Sequence, residues 1–201
     1  MRTKLIACVA AALMLAGCTS GASPDKPTVI VPDAPGKPAK AMSPEEAGKA
    51  IPPPRISESD VTYARMMIEH HQQALDMAGL APQRSSRDDV KRLADRVADS
   101  QGPEIAAMRA WLTRTGAPGH HNHDQMPGMA SAEQVEALRA ASGPAFDTLF
   151  LQLMAAHHEG AVTMATTVLQ TGSDVFIQEM AAEQAVGQRR EITIMRLMLG
   201  S

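Results

Sequence analysis

Met67-Ile68-Glu69-His70-His71-Gln72-Gln73-Ala74-Leu75-Asp76-Met77-Ala78 and Met154-Ala155-Ala156-His157-His158-Glu159-Gly160-Ala161-Val162-Thr163-Met164-Ala165 are two copies of one pattern, offset by 87 positions (67 to 154, 77 to 164). The offset reaches back to Asp60 and Asp147. It also persists into the next stretch, where Gln101, Glu104, Ile105, Met108 and Arg109 match Gln188, Glu191, Ile192, Met195 and Arg196. One shift kept across two periodic stretches and the chain between them marks a duplicated helix pair. Two such pairs predict an all-α, four-helix bundle whose halves are related by a pseudo-twofold axis.

Composition agrees. The 201 residues include 14 Met but only one Trp and one Tyr, so the core is filled by aliphatic side chains and Met, which favours helix packing over a sandwich or barrel. A formal net charge of −3 and 2% aromatic residues give no basic surface for nucleic acid.

The helix limits are written in cap residues. Ser57 caps the first helix, which Gly79 and Pro82 stop, and the second runs from about Ser85-Ser86-Arg87-Asp88 to Thr115, before Gly116. A short helix is expected near Ser131, a third long helix from Gly143-Pro144 to Thr171, and a fourth from Asp174 to about Leu199. The bundle thus spans 58–200, with halves 58–116 and 144–200 joined by a loop (117–130) and a short helix (131–142). Pro103, inside the second helix, is expected to kink it beside Gln101.

Ahead of the bundle, residues 1–17 read as a signal peptide: Arg2 and Lys4, then the apolar run from Leu5 to Ala16, too short to span a bilayer. Leu15-Ala16-Gly17-Cys18 resembles the lipobox of bacterial lipoproteins. That resemblance implies cleavage before Cys18, a lipid on its sulfur and a chain anchored at the outer face of the cell membrane. With Cys8 removed and Cys18 acylated, no thiolate remains to hold a metal. Residues 18–57 contain nine of the 14 prolines and read as an extended, largely disordered tether, with a weak helical signal at Ser43-Pro44-Glu45-Glu46.

All seven histidines fall in three clusters. On a helix, His70 has Met67 one turn behind it and Ala74 and Met77 ahead, and His71 sits ~100° further round. One imidazole of each pair is therefore expected to face the bundle centre while its neighbour lines the flank. The candidate core ligands are His70, His71, His157 and His158 with Met67, Met77, Met154 and Met164, joined by Met108 and Met195 from the partner helices. Imidazole with soft thioether selects copper, above all Cu(I), with silver following. A di-iron site would need Glu-x-x-His motifs, but Met67 and Met154 stand three residues before His70 and His157. A second candidate is the loop carrying His120, His121, His123, Met126 and Met129, which suits a flexible metal-capturing segment.

Two other functions stay open. Met stripes also serve as adaptable core filler, which gives a structural or partner-binding envelope lipoprotein with the histidines as packing residues. A ferritin-like redox enzyme is the third reading, although no paired carboxylates or nucleophile–base arrangement supports catalysis.

Residues 58–200 resemble the domain-of-unknown-function 305 family. The resemblance rests on Met67-Ile68-Glu69-His70-His71 through Met77-Ala78, Gln101-x-x-Glu104-Ile105, Met126-Pro127-Gly128-Met129, Phe146-Asp147-x-x-Phe150-Leu151, Met154, His157-His158 and Met164-Ala165. It implies a ferritin-like four-helix bundle in an exported protein and, for some members, binding of copper or silver. Pro103 is the departure from the family pattern.

Overall fold

The computed structural model describes residues 27–50, 56–117 and 126–200. The signal segment, Cys18, His120, His121 and His123 lie outside the described residues.

The chain divides into two compact units, the first ending at Pro53. Within the segment expected as a tether, residues 27–50 are locally folded. Strands β1 (Val29–Val31) and β2 (Lys40–Met42) pair antiparallel, Val29 opposite Met42, and helix α1 (Pro44–Ala50) follows. The signal was Pro35-Gly36. Proline presets the second turn position, glycine takes a positive φ of 83° at the third, and the Lys37 amide donates to the Ala34 carbonyl at 2.9 Å. Lys40 bridges back to Asp33 at 2.8 Å. Ser43 caps α1 through reciprocal bonds with Glu46, so the weak helical signal there was real. Proline content alone was a poor guide, because Pro35 sits in the turn and Pro44 opens α1, two positions where proline is favourable.

The second unit is a helical bundle. Its elements are α2 (Glu58–Ala78), the single turn α3 (Ala81–Arg84), α4 (Asp88–Thr115), α5 (Ala132–Ala140), α6 (Gly143–Thr171) and α7 (Val175–Leu199). The caps act as expected: Ser57 and Ser131 each form a capping box, with Asp60 and Gln134, and Asp174 accepts from the Ile177 amide. Helix α4 is continuous through Pro103, the position expected to kink it. Pro103 and Asp99, whose carbonyl loses its amide partner, both face solvent, where water satisfies the carbonyl.

Helix α2 packs on α4, α6 on α7, and α2 on α6, so the two halves meet along the helices that carry the histidines. Asp60 and Asp147 join the halves at the ends. Buried Asp60 on α2 accepts from the amides of Ser173 and Asp174 at 3.1 Å, at the start of α7. Asp147 on α6 accepts from the hydroxyls of Ser85 and Ser86 and from the Ser86 amide, at the start of α4. Each half therefore holds down the first turn of the other half's second helix.

Candidate metal centre

The duplicated pattern puts its histidines where the helix pairs touch. His70, His71, His157 and His158 are all fully buried. The His70 ring of α2 meets the His157 ring of α6 with centroids 3.6 Å apart and planes tilted by 33°. His71 and His158 line the flank, and that flank is itself buried. Each turns to the helix paired with its own. His71 Nε2 lies 2.7 Å from Glu104 Oε2 on α4, and His158 Nε2 lies 2.8 Å from Glu191 Oε2 on α7. A carboxylate only accepts, so both Nε2 atoms carry a proton, which makes Nδ1 the lone-pair atom of each ring in its neutral form. His70 is set the same way, donating from Nε2 to the Pro127 carbonyl at 3.0 Å. The Nδ1 atoms of all four rings, and Nε2 of His157, have no hydrogen-bond partner. A partnerless buried polar atom costs about 1–3 kcal/mol, so a cluster of them demands an explanation in function.

Around this imidazole layer the methionines fall into two apolar clusters. Met67, Met108 and Met164 share one, and Met77, Met154 and Met195 share the other. The 87-residue shift carries the first trio onto the second (67 to 154, 108 to 195, 164 to 77). Each cluster thus takes two thioethers from one half and one from the other. All six are buried at 6% exposure or less.

The halves have diverged around the carboxylates. Gln184 donates to Glu104 Oε2 at 2.7 Å and accepts from the Tyr63 hydroxyl, so the His71 carboxylate is held by a polar relay. Burial and the charge of Glu104 push the Tyr63 pKa upward, which keeps the phenol a neutral donor. At the Glu191 side the matching positions are Phe150 and Val97, both fully buried and unable to hydrogen-bond.

The segment Met126–Ala130 is not a free capturing loop. Pro127-Gly128 makes a tight turn, with Gly128 at φ 79°, and lies directly on α6. A Cβ on Gly160 would come within 1.9 Å of the Pro127 carbonyl oxygen, so glycine is required for the strap to seat. At the matching position on α2, Gln73 closes the other side, donating to the Ala130 carbonyl at 2.9 Å and accepting from its amide at 2.8 Å. Met126 packs on the cluster of Met67, Met108 and Met164, and Met129 is half-buried in the strap.

Burial lowers the His70 pKa to about 3, with the neighbouring His71 and His158 adding to the shift and the Pro127 hydrogen bond opposing it. Burial also holds His157 well below its ordinary value of 6.5, helped by His70, His158 and His71. These rings stay neutral, as coordination requires, into acid solution. The metal-free fold is therefore expected to keep its full stability above pH 6.5 and to lose it as pH falls toward 3. The unfolded chain takes up protons there that the folded chain refuses, giving a slope of about 1.4 kcal/mol per pH unit for each ring. Urea midpoints measured between pH 7 and 4 check this, and a flat profile would contradict the buried neutral state.

Sequence reading put Glu104 and Glu191 on the helices around the candidate site without giving either a role, and it missed the roles of Tyr63, Gln184, Pro127 and Gly160. The family model "Domain of unknown function (DUF305)" matches residues 60–199. This chain belongs to the DUF305 family. No curated protein matches it. A DUF305 fragment from Deinococcus radiodurans is 34% identical with a TM-score of 0.68, over 74% of this chain and 99% of that one. A DUF305 protein from Streptomyces coelicolor, described as secreted, is 30% identical with a TM-score of 0.68, over 71% of this chain and 92% of that one. CopM in its Cu(I)-bound form is 27% identical with a TM-score of 0.60, over 69% of this chain and 94% of that one. CopM is also known in Cu(II)-bound and Ag-bound forms.

Proposed function

We propose that this DUF305 domain binds Cu(I), with Ag(I) as a close mimic, outside the cytoplasm, and sequesters the ion or hands it on without catalysing a reaction. The observation that carries this reading is the set of four buried imidazoles whose Nδ1 atoms have no hydrogen-bond partner. Among the described residues no three His, Cys, Asp or Glu side chains are grouped to hold an ion by themselves, so this reading requires thioether sulfur beside the nitrogen. Mixed imidazole and thioether is the donor set that favours Cu(I). The CopM likeness points the same way.

In this reading His70, His71, His157 and His158 supply nitrogen, and Met67, Met77, Met108, Met154, Met164 and Met195 supply sulfur. Glu104 and Glu191 fix the tautomers of His71 and His158, as carboxylates commonly do behind metal-bound imidazoles. Met126 and Met129 bring further sulfur from the strap, and His120, His121 and His123 precede it in sequence. A lipid on Cys18 tethers the chain to the outer face of the membrane.

Titration with Cu(I) against a chromogenic competitor tests the proposal directly. Free ion at 1,000 times its Kd is expected to stabilise the fold by about 4 kcal/mol and raise the melting temperature by ~10 °C. A melting temperature indifferent to Cu(I) would leave the histidines as packing residues of a structural or partner-binding lipoprotein.

A further inference from the structure

One wall of the bundle is built differently in the two halves. A half-open cavity of 190 Å³ lies between α2 and α6, lined by Ser59, Thr62, Tyr63 and Met66 from α2, by Thr163, Met164, Thr167 and Val168 from α6, and by Pro127 of the strap. Shifting the α2 wall by 87 positions replaces Ser59 by Phe146, Thr62 by Leu149, Tyr63 by Phe150 and Met66 by Leu153. On the opposite wall, Thr167 becomes Leu80. These replacements are packed with Leu138 of α5 into one apolar cluster, and Phe146 and Phe150 stack at 5.7 Å. From one duplicated unit, one copy of this wall is filled with large apolar side chains. The other is left open and lined with hydroxyls and two thioethers.

The open wall is one hydrogen bond from the buried imidazoles. Pro127 lines the cavity, and its carbonyl holds His70. Tyr63 lines it too, and its hydroxyl holds Gln184, which bonds the Glu104 carboxylate paired with His71. Of the cavity's two thioethers, Met164 is buried at 6% exposure and Met66 is half-buried. We infer that this cavity is the port by which a soft monovalent cation, Cu(I) or Ag(I), reaches the His70–His157 pair, with Met66 as the first thioether it meets. Hydroxyls at the mouth replace part of the ion's water, and exchangeable thioethers pass it inward without a proton having to leave. The inference rests on the buried histidines being metal ligands, and its test separates the two claims.

The test copies the closed half onto the open one at positions 62, 66 and 167, and adds bulk at 163, whose counterpart is Asp76. The variant Thr62→Leu with Met66→Leu, and a second pair on the exposed α6 wall, Thr163→Leu with Thr167→Leu, narrow the port without touching a core ligand. Cu(I) transfer from its bicinchoninate complex is followed by stopped-flow absorbance, and equilibrium affinity is measured by competition on the same samples. Loading is expected to slow about tenfold or more in either variant, with equilibrium affinity unchanged within about twofold. Parent-like loading in a folded variant that still binds Cu(I) overturns the port and leaves the binding site standing. A parent protein that takes up no Cu(I) at equilibrium overturns both. Met66→Leu alone is expected to slow loading less than the double variant, and an equal fall in affinity would make Met66 a core ligand instead of a port residue.

Discussion

Replacing His157 by leucine is expected to weaken Cu(I) binding by at least ~100-fold while making the metal-free protein more stable by about 1–3 kcal/mol. The two effects share one cause. Both ring nitrogens of His157 are buried without a hydrogen-bond partner, so the folded protein bears their full desolvation cost. Leucine has similar bulk and removes that cost. It also removes a nitrogen donor from the centre of the layer, where even changing a ligand's supporting partner typically costs 10–100-fold in affinity. Competition titration and urea unfolding, run on the same preparation without metal, give the two numbers. His157→Leu should also shed part of the acid sensitivity, since one depressed imidazole is gone. A variant that is less stable and binds Cu(I) like the parent would mean that His157 is a packing residue.

Gly160→Ala is expected to cost about 3 kcal/mol, more than its single methyl suggests. The added carbon would sit 1.9 Å from the Pro127 oxygen and 2.3 Å from its carbonyl carbon, and backbone atoms cannot rotate aside. The strap must lift. Lifting breaks the His70 bond to Pro127 and both bonds between Gln73 and Ala130, each worth about 1 kcal/mol net. It also exposes Met126, which packs on the methionine cluster. Gly187→Ala on α7 is the control: nothing lies within 4 Å of its Cβ position, and a helical Gly→Ala change there is expected to stabilise by about 0.5–1 kcal/mol. Urea midpoints for the pair, with hydrogen exchange at the Ala130 amide, check the contrast. Similar midpoints for the two variants would show that the strap does not depend on Gly160.

The helices were legible because their ends are marked by side chains that act locally. Ser57, Ser131 and Asp174 cap from within four residues, so sequence distance and spatial distance coincide. The histidine and methionine layer was legible in the sequence, because the repeat doubled each of its residues. Its orientation was not. Which imidazole meets its twin and which meets a glutamate depends on how α2 and α6 are rotated against α4 and α7, and helical periodicity leaves that rotation open. The strap was hidden for a different reason. The repeat fails at its seat, where Gly160 faces Gln73, and one works by having no side chain while the other uses its amide. The hairpin ahead of the bundle was masked by prolines that serve as turn residues.

The crossed aspartate clasps bear on how such a molecule could arise. A lone helix pair would carry the acceptor for a helix start that it does not itself own, and would leave its own helix start unheld. Two identical pairs placed back to back would satisfy each other, as the halves of a symmetric dimer do. Gene fusion would then have made permanent a partnership the single unit already required. Only after fusion could the copies drift apart, one wall closing with phenylalanine and leucine while its sibling stayed open.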